Sequence, residues 1–235
     1  MRLILNGGGS DEQVKESYAL FVKELKGGKV LYVPLAWPYG NMAECINWFK
    51  GQMLPFGVTD IEQVLDPSEI TREKLRKVSG VFIGGGNTYQ LLKGLKETNA
   101  FENLKDYIEN DGLVMGGSAG ALIFSECIDT CLKDGLEIQS CNDENKVGLE
   151  NTNGFNLIKG YSILPHYKKN TEQYENIKTR VERLLKEGYK LVCLPEETSL
   201  WVNGENVKVI GGRPAEVFDG NNSAIFTHGE EVCLM

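Results

Sequence analysis

Short apolar runs alternating with longer amphipathic stretches constrain this chain more than any other feature. "RLILN" (2–6) precedes a helical pattern from Asp11 to about Lys26, and "KVLYVPLA" (29–36) precedes another near 42–54. "IEQVL" (61–65) leads into "SEITREKLRKV", where Ser68, after Pro67, is placed to cap a helix. "GVFIGGGN" (80–87) opens into "TYQLLKGLKET", which sets Leu91, Leu92 and Leu95 on one helical face. A helix near 100–110, the run "GLVMGG" and a helical "SAGALIFSEC" follow. Continuously apolar strands that each feed a helix belong to a sheet buried on both faces. The expected fold is therefore α/β, with a doubly wound, mostly parallel sheet.

After about residue 126 the rhythm loosens. Residues 139–156 are polar and rich in Asn and Glu, which predicts a long loop or flap. "YSILPHY", a helix across 171–187 and the strand "KLVCLPE" come next. "SLWVNGENVKVIGG" carries an N-G turn between β-rich runs, followed by "AEVF", "SAIF" and "EVCLM", which predicts antiparallel edge strands and hairpins at the C-terminal end. No repeat, low-complexity tract or linker divides the chain, so residues 1–235 are read as one domain.

A net charge of −8 argues against nucleic acid or an anionic membrane as partner. No apolar run reaches a membrane span, and the N-terminal run is too short for a signal segment, so a cytoplasmic protein is expected. Six cysteines are scattered without a C-x-x-C pair and are read as reduced thiols in a packed core. Cys127, Cys131 and His166 offer the alternative of zinc ligands, but the spacing is not that of a metal site and no metal is expected.

Three expected strands end in glycine clusters: "NGGGS" (6–10), "IGGGN" (83–87) and "MGGSAG" (115–120). In a doubly wound sheet such turns gather at the carboxyl ends of the strands, where ligand sites form. Neither of the first two completes G-x-G-x-x-G, because Glu12 and Tyr89 stand where the third glycine belongs, and no phosphate-binding G-x-x-x-x-G-K-[ST] occurs. "GGSAG" does complete G-x-S-x-G, with Gly116, Ser118 and Gly120. A serine on a sharp strand-to-helix turn needs small neighbours, and its hydroxyl is then exposed at the sheet edge. Amides after the serine, joined by those of "GGGN" (84–87), are placed to hold an oxyanion. The same motif arises by chance in a glycine-rich chain, so it does not stand alone.

Two histidines compete for the role of base. His228 lies near the C-terminus on an expected surface hairpin, whereas His166 follows an apolar strand in "SILPHYKK" and is placed to face the crevice. A carboxylate must hold the imidazole tautomer, and Asp129, Asp134, Glu196 and Glu197 all qualify by position, with spacing alone choosing none.

"FIGGGNTYQLL", "GGSAGA" and "LPHY", in that order and spacing, resemble the aspartyl dipeptidase (peptidase E) family of serine peptidases and its cyanophycinase relatives. The resemblance runs from the first strand to "PEETSLWV". It implies a flavodoxin-like, class I glutamine amidotransferase-like fold with serine in place of the amidotransferase cysteine. It further implies Ser118 as nucleophile, His166 as base, and Gly85 or Gly86 as oxyanion donor beside Ala119. For the acid it points to Asp134, nearest the dipeptidase aspartate, or to Glu196, in a stretch like the cyanophycinase D-E-x-T. The match at "PEETSL" is the cleaner, which favours Glu196.

The activity implied is hydrolysis of small peptides, dipeptides with an acidic N-terminal residue among them, without metal or organic cofactor. Lys168, Lys169 and Arg180 are the basic contacts such a substrate needs, with solvated surface the other reading of each. An amidotransferase-like binding module, or an esterase or amidase using the same serine, are the alternatives, and a homodimer is left open.

Overall fold

The computed structural model describes residues 1–37, 41–168 and 171–234. The first half follows the apolar rhythm. β1 (Arg2–Asn6), α1 (Lys15–Leu25), β2 (Val30–Val33), α2 (Cys45–Met53), β3 (Ile61–Gln63), α3 (Arg72–Leu75) and β4 (Gly80–Ile83) alternate along the chain. α4 (Thr88–Lys96), α5 (Ala100–Glu109), β5 (Leu113–Gly117) and the short α6 (Ala119–Leu122) follow. The second half contains β6 (Tyr161–Leu164), α7 (Tyr174–Lys186), β7 (Lys190–Cys193), β8 (Thr198–Asn203), β9 (Asn206–Gly211), β10 (Ala215–Asp219) and β11 (Asn222–Phe226).

The main sheet has the order β3-β2-β4-β5-β1-β8-β9. Its first five strands are parallel, and β8 and β9 add an antiparallel edge. Successive side chains point to opposite faces, so each strand feeds two cores. Leu3, Leu5, Val81, Ile83 and Val114 pack with Leu91, Leu92, Leu104 and Ile108 of α4 and α5. Ile4, Tyr32, Phe82 and Met115 pack with Tyr18 and Phe21 of α1 and with Phe49 and Met53 of α2. A sheet with helices on both faces is the doubly wound arrangement expected from continuously apolar strands.

Several local expectations change. β6 and β7 do not extend the main sheet but form a second one, in the order β11-β10-β7-β6. β8 occupies the edge of β1 opposite β5, so the remaining parallel pair finds its partner in β10 instead. Among the described residues of "EVCLM", the β-pairing is an isolated bridge between Glu231 and Lys208. Ser68 is no helix cap: its N–H donates to Asp66, which caps a 3-10 turn, and Thr71 accepts from the Lys74 N–H to cap α3. Cys131 and Cys141 form a disulfide, contrary to the reading of six reduced thiols, and Cys131 is therefore unavailable as a partner of Cys127 in a metal site. Among the described residues, no helix is long and apolar enough to cross a membrane.

The polar segment 139–156 runs along α4 and is fastened by it. Asn87 Nδ2 donates to the Glu144 carbonyl at 2.9 Å, Lys93 Nζ to the Val147 carbonyl at 2.6 Å and Lys96 Nζ to the Asn153 carbonyl at 2.6 Å. That packing brings Asp143 to Thr88 at the mouth of the site.

Candidate active site

The carboxyl ends of β1, β4 and β5 converge, as the three glycine clusters require. Ser118 stands between β5 and α6 with φ 52° and ψ −113°, a strained backbone for a residue with a side chain. Its N–H donates to the Asn6 carbonyl on β1 at 3.0 Å. The flanking glycines are required by contact. A Cβ on Gly116 would lie 2.2 Å from the Gly120 carbonyl oxygen, and one on Gly120 would lie 2.2 Å from that of Ile83. The turn that exposes the hydroxyl is therefore specified by its neighbours.

His166 follows β6 and Pro165, also in the left-handed region at φ 53°, with its N–H on the Gly7 carbonyl at 2.8 Å. The ring reaches two partners. Nε2 lies 2.8 Å from Ser118 Oγ, and Nδ1 lies 2.9 Å from Glu196 Oε1. A carboxylate can only accept, so Nδ1 carries the proton and Nε2 is left to accept the serine hydroxyl. Glu196 is held by Gln13 Nε2 at 3.0 Å on its other oxygen, with Lys168 Nζ at 3.4 Å. The His166 hydrogen bond leads in holding its carboxyl down at about 2; burial opposes, and Gln13 and Lys168 add to the lowering. Glu196 is thus a carboxylate at any ordinary pH.

The other candidates lie elsewhere. Asp134 is not brought to the imidazole. It accepts from Arg180 Nε at 3.0 Å and from Arg183 Nη2 at 3.1 Å. Burial pushes its carboxyl up, and Arg180 overcomes that to hold it below the usual range. Asp129 accepts from the Tyr89 and Thr152 hydroxyls, and Glu197 pairs with Arg213. His228 is exposed and pairs with Glu16. Of the basic contacts, Arg180 is fully buried beneath Asp134, Lys168 serves Glu196, and Lys169 lies outside the described residues.

Gly85 packs against the Ser118 turn, where its Cβ would lie 3.2 Å from Ser118 Cβ, whereas Gly86 backs onto the Ala36 carbonyl. Among the described residues, no backbone carbonyl accepts from the N–H of Gly85 or Ala119.

The sequence reading missed Asn6, Gly8 and Asp143. Asn6 is buried; its Nδ2 donates to the Glu196 and Thr198 carbonyls, and its Oδ1 accepts from Gly8 N–H at 2.7 Å. That carboxamide pins the glycine loop to the β7–β8 turn that carries Glu196. Gly8, at φ 103°, lies directly against the site: a Cβ there would fall 2.5 Å from His166 Cε1 and 2.8 Å from Ser118 Cβ. "NGGGS" was the available signal, a glycine run ending a strand. Gly8→Ala is expected to displace the ring and lower kcat about a hundredfold. Steady-state kinetics check this, and an unchanged kcat contradicts it.

Ser118 and His166 open on a cleft of about 1140 Å³ that Asn87, Asp143 and a group of aromatic side chains also line. Asp143 Oδ2 accepts from Thr88 N–H at 2.8 Å and Thr88 Oγ1 at 2.7 Å, while burial pushes its carboxyl up.

Comparison with known proteins identifies the family of the chain. The model of "Peptidase family S51" matches residues 3–210. The protein named Peptidase E in Shewanella denitrificans is 28% identical over 177 residues, covering 73% of this chain and 69% of that protein. Peptidase E of Salmonella paratyphi C is 25% identical over 233 residues, covering 94% and 90%. A crystal structure from Listeria monocytogenes EGD-e, of a protein named as a candidate peptidase E, superposes with a TM-score of 0.69 at 27% identity. It covers 90% of this chain and 98% of that one. A peptidase from an acI-B1 actinobacterium shares the fold, with a TM-score of 0.72 at 19% identity over 98% and 96% of the two chains. The chain belongs to peptidase family S51 and is a hydrolase of the peptidase class.

Proposed function

We propose that this chain hydrolyses small peptides through Ser118, His166 and Glu196. The observation that carries the reading is the continuous hydrogen-bonded chain from Ser118 Oγ through both ring nitrogens of His166 to Glu196, opening on a cleft. Ser118 Oγ attacks the scissile carbonyl while His166 Nε2 takes its proton. The negative charge that develops on the carbonyl oxygen is held by the amides of Gly85 and Ala119, which meet no backbone carbonyl among the described residues. His166 then gives the proton to the leaving amine, and water removes the acyl group by the same steps in reverse. Glu196 keeps the tautomer and stabilises the imidazolium without taking the proton. Pairing of Asp134 with two arginines supports its assignment to the scaffold instead of the site.

The cleft supports a small substrate: its volume lies just above the usual span of ligand pockets and accommodates a short peptide. Incubation with a dipeptide library and with simple esters, read by mass spectrometry, tests the assignment. Release of amino acids from dipeptides is expected. Ester cleavage with no dipeptide cleavage contradicts the peptidase reading.

A further inference from the structure

The cleft has one end whose chemistry the triad does not use. Side chains on the α1–α2 face of the sheet follow the order Phe82 then Gly84 on the β4 side, and Met115 then Gly117 on β5. Phe82 pairs with Met115 and Ile83 with Gly116 in register, so Gly84 and Gly117 come level one step further on. Two adjacent strands therefore end without side chains on the same face, directly beside Ser118. The space is real. A Cβ on Gly117 would meet nothing within 4 Å, and one on Gly84 would touch the Tyr32 ring at 3.5 Å.

The floor beneath this gap is apolar, built from Phe82 and Met115, which are 3% and 1% exposed. Tyr18 and Tyr32 wall it, each with its ring centroid 6.0 Å from that of Phe82. Stacking of Tyr32 on Phe49 at 4.3 Å fixes that wall from behind. Trp48 of α2, 44% exposed, stands at the rim. Among the described residues, the charged side chains lining the cleft are Glu44, Asp143, Glu144 and Lys146, and Lys146 pairs with Glu144 at 3.0 Å. Lys146, the cation among the described lining residues, is already engaged by Glu144, so a substrate carboxylate placed among the rings would be desolvated at a cost. A large uncharged side chain would fill the gap and meet ring faces and edges.

We propose that the recess above Phe82 and Met115, opened by Gly84 and Gly117, is the specificity pocket for the side chain flanking the scissile carbonyl. It takes a large uncharged side chain, aromatic or long aliphatic, in preference to an acidic one. The proposal rests on the reading of Ser118 as nucleophile. Burial of a benzyl group in such a recess favours it over methyl by about ten- to a hundredfold.

Diphenyl 1-aminoalkylphosphonates bearing benzyl, methyl or carboxymethyl at the carbon beside phosphorus test it. Ser118 Oγ forms the bond to phosphorus, one phenoxide leaves, and the serine proton passes through His166 to give phenol. Intact-mass spectrometry follows the rate, and peptide mapping locates the adduct. The benzyl compound is expected to label about ten- to a hundredfold faster than the methyl one, with carboxymethyl no faster than methyl. Gly117→Phe is expected to bring the benzyl-to-methyl ratio to about one or below. The position is outside the left-handed region and a Cβ there meets nothing within 4 Å, so the side chain starts without a clash, and a circular-dichroism melt of the variant checks that it folds. Trp48→Ala, at the exposed rim, is expected to lower the same ratio by a smaller factor. Equal benzyl and methyl rates, a fastest carboxymethyl rate, or a ratio that Gly117→Phe leaves unmoved overturns the proposal. A small fluorophosphonate separates the two ways of failing. If it labels Ser118 while the ratio is flat, only the pocket is wrong. If it leaves Ser118 unmodified, the nucleophile assignment fails and the pocket with it.

Discussion

Replacing Ser118 by alanine is expected to lower kcat by roughly 10⁴- to 10⁶-fold while leaving substrate affinity within a few fold. The hydroxyl is the only group in the relay that can form a bond to the substrate carbonyl, and a methyl group leaves nothing for His166 to activate. The variant should fold as the parent does. The strain at φ 52° and ψ −113° belongs to the backbone turn and is imposed by the Gly116–Gly120 contact and the bond from Ser118 N–H to Asn6, none of which involves Oγ. Single-turnover hydrolysis with binding measured separately checks both halves. Loss of binding along with turnover contradicts the account, because the amides and the cleft remain.

Glu196→Gln and Asp134→Asn are expected to fail in opposite ways. The glutamine keeps the shape of the carboxyl group but removes its charge and can face the ring with the wrong hydrogen-bonding group, so kcat is expected to fall by roughly 10³- to 10⁴-fold. Asp134→Asn leaves the relay intact and unpairs Arg180, which is fully buried. Breaking such a pair costs about 3–5 kcal/mol, so the melting temperature falls while turnover per folded molecule holds. Full activity in Glu196→Gln with loss in Asp134→Asn would reverse the assignment of the acid.

The acid limb of stability provides a second readout on Glu196. Its folded value of about 2 lies below the ordinary 4.5, so its contribution is complete above about 4.5 and is lost as the pH falls through about 2. The stability difference between wild type and Glu196→Gln is therefore expected to shrink across that window. Urea unfolding at stepped pH measures it.

The parts of the fold that were legible in the sequence are those set by local pattern. Continuous apolar runs such as "GVFIGGGN" carry their own burial signal, so β4 and α4 fall where periodicity puts them. The serine turn was legible because Gly116 and Gly120 are dictated by contacts within five residues and one neighbouring strand. The choice of acid was not legible in spacing, because Glu196 and Asp134 differ in what lies beside them in space. One meets His166, and the other meets α7 through Arg180 and Arg183. Only the resemblance at "PEETSL" leaned toward Glu196. The second sheet was hidden for a similar reason: the "YSIL" and "KLVC" runs carry a strand's apolar pattern but not the identity of their partners, and pairing of β8 with β1 excludes them from the main sheet. Gly8 and Asn6 escaped notice because a glycine run at a strand end does not say which ring will lie over it.

Reaction with a small fluorophosphonate, followed by peptide mapping, tests the central claim most directly. One adduct on Ser118 is expected in the wild type, none at that position or any other in Ser118→Ala, and a much slower reaction in Glu196→Gln. Equal labelling of wild type and Ser118→Ala, or an adduct on any residue other than Ser118, would contradict the account.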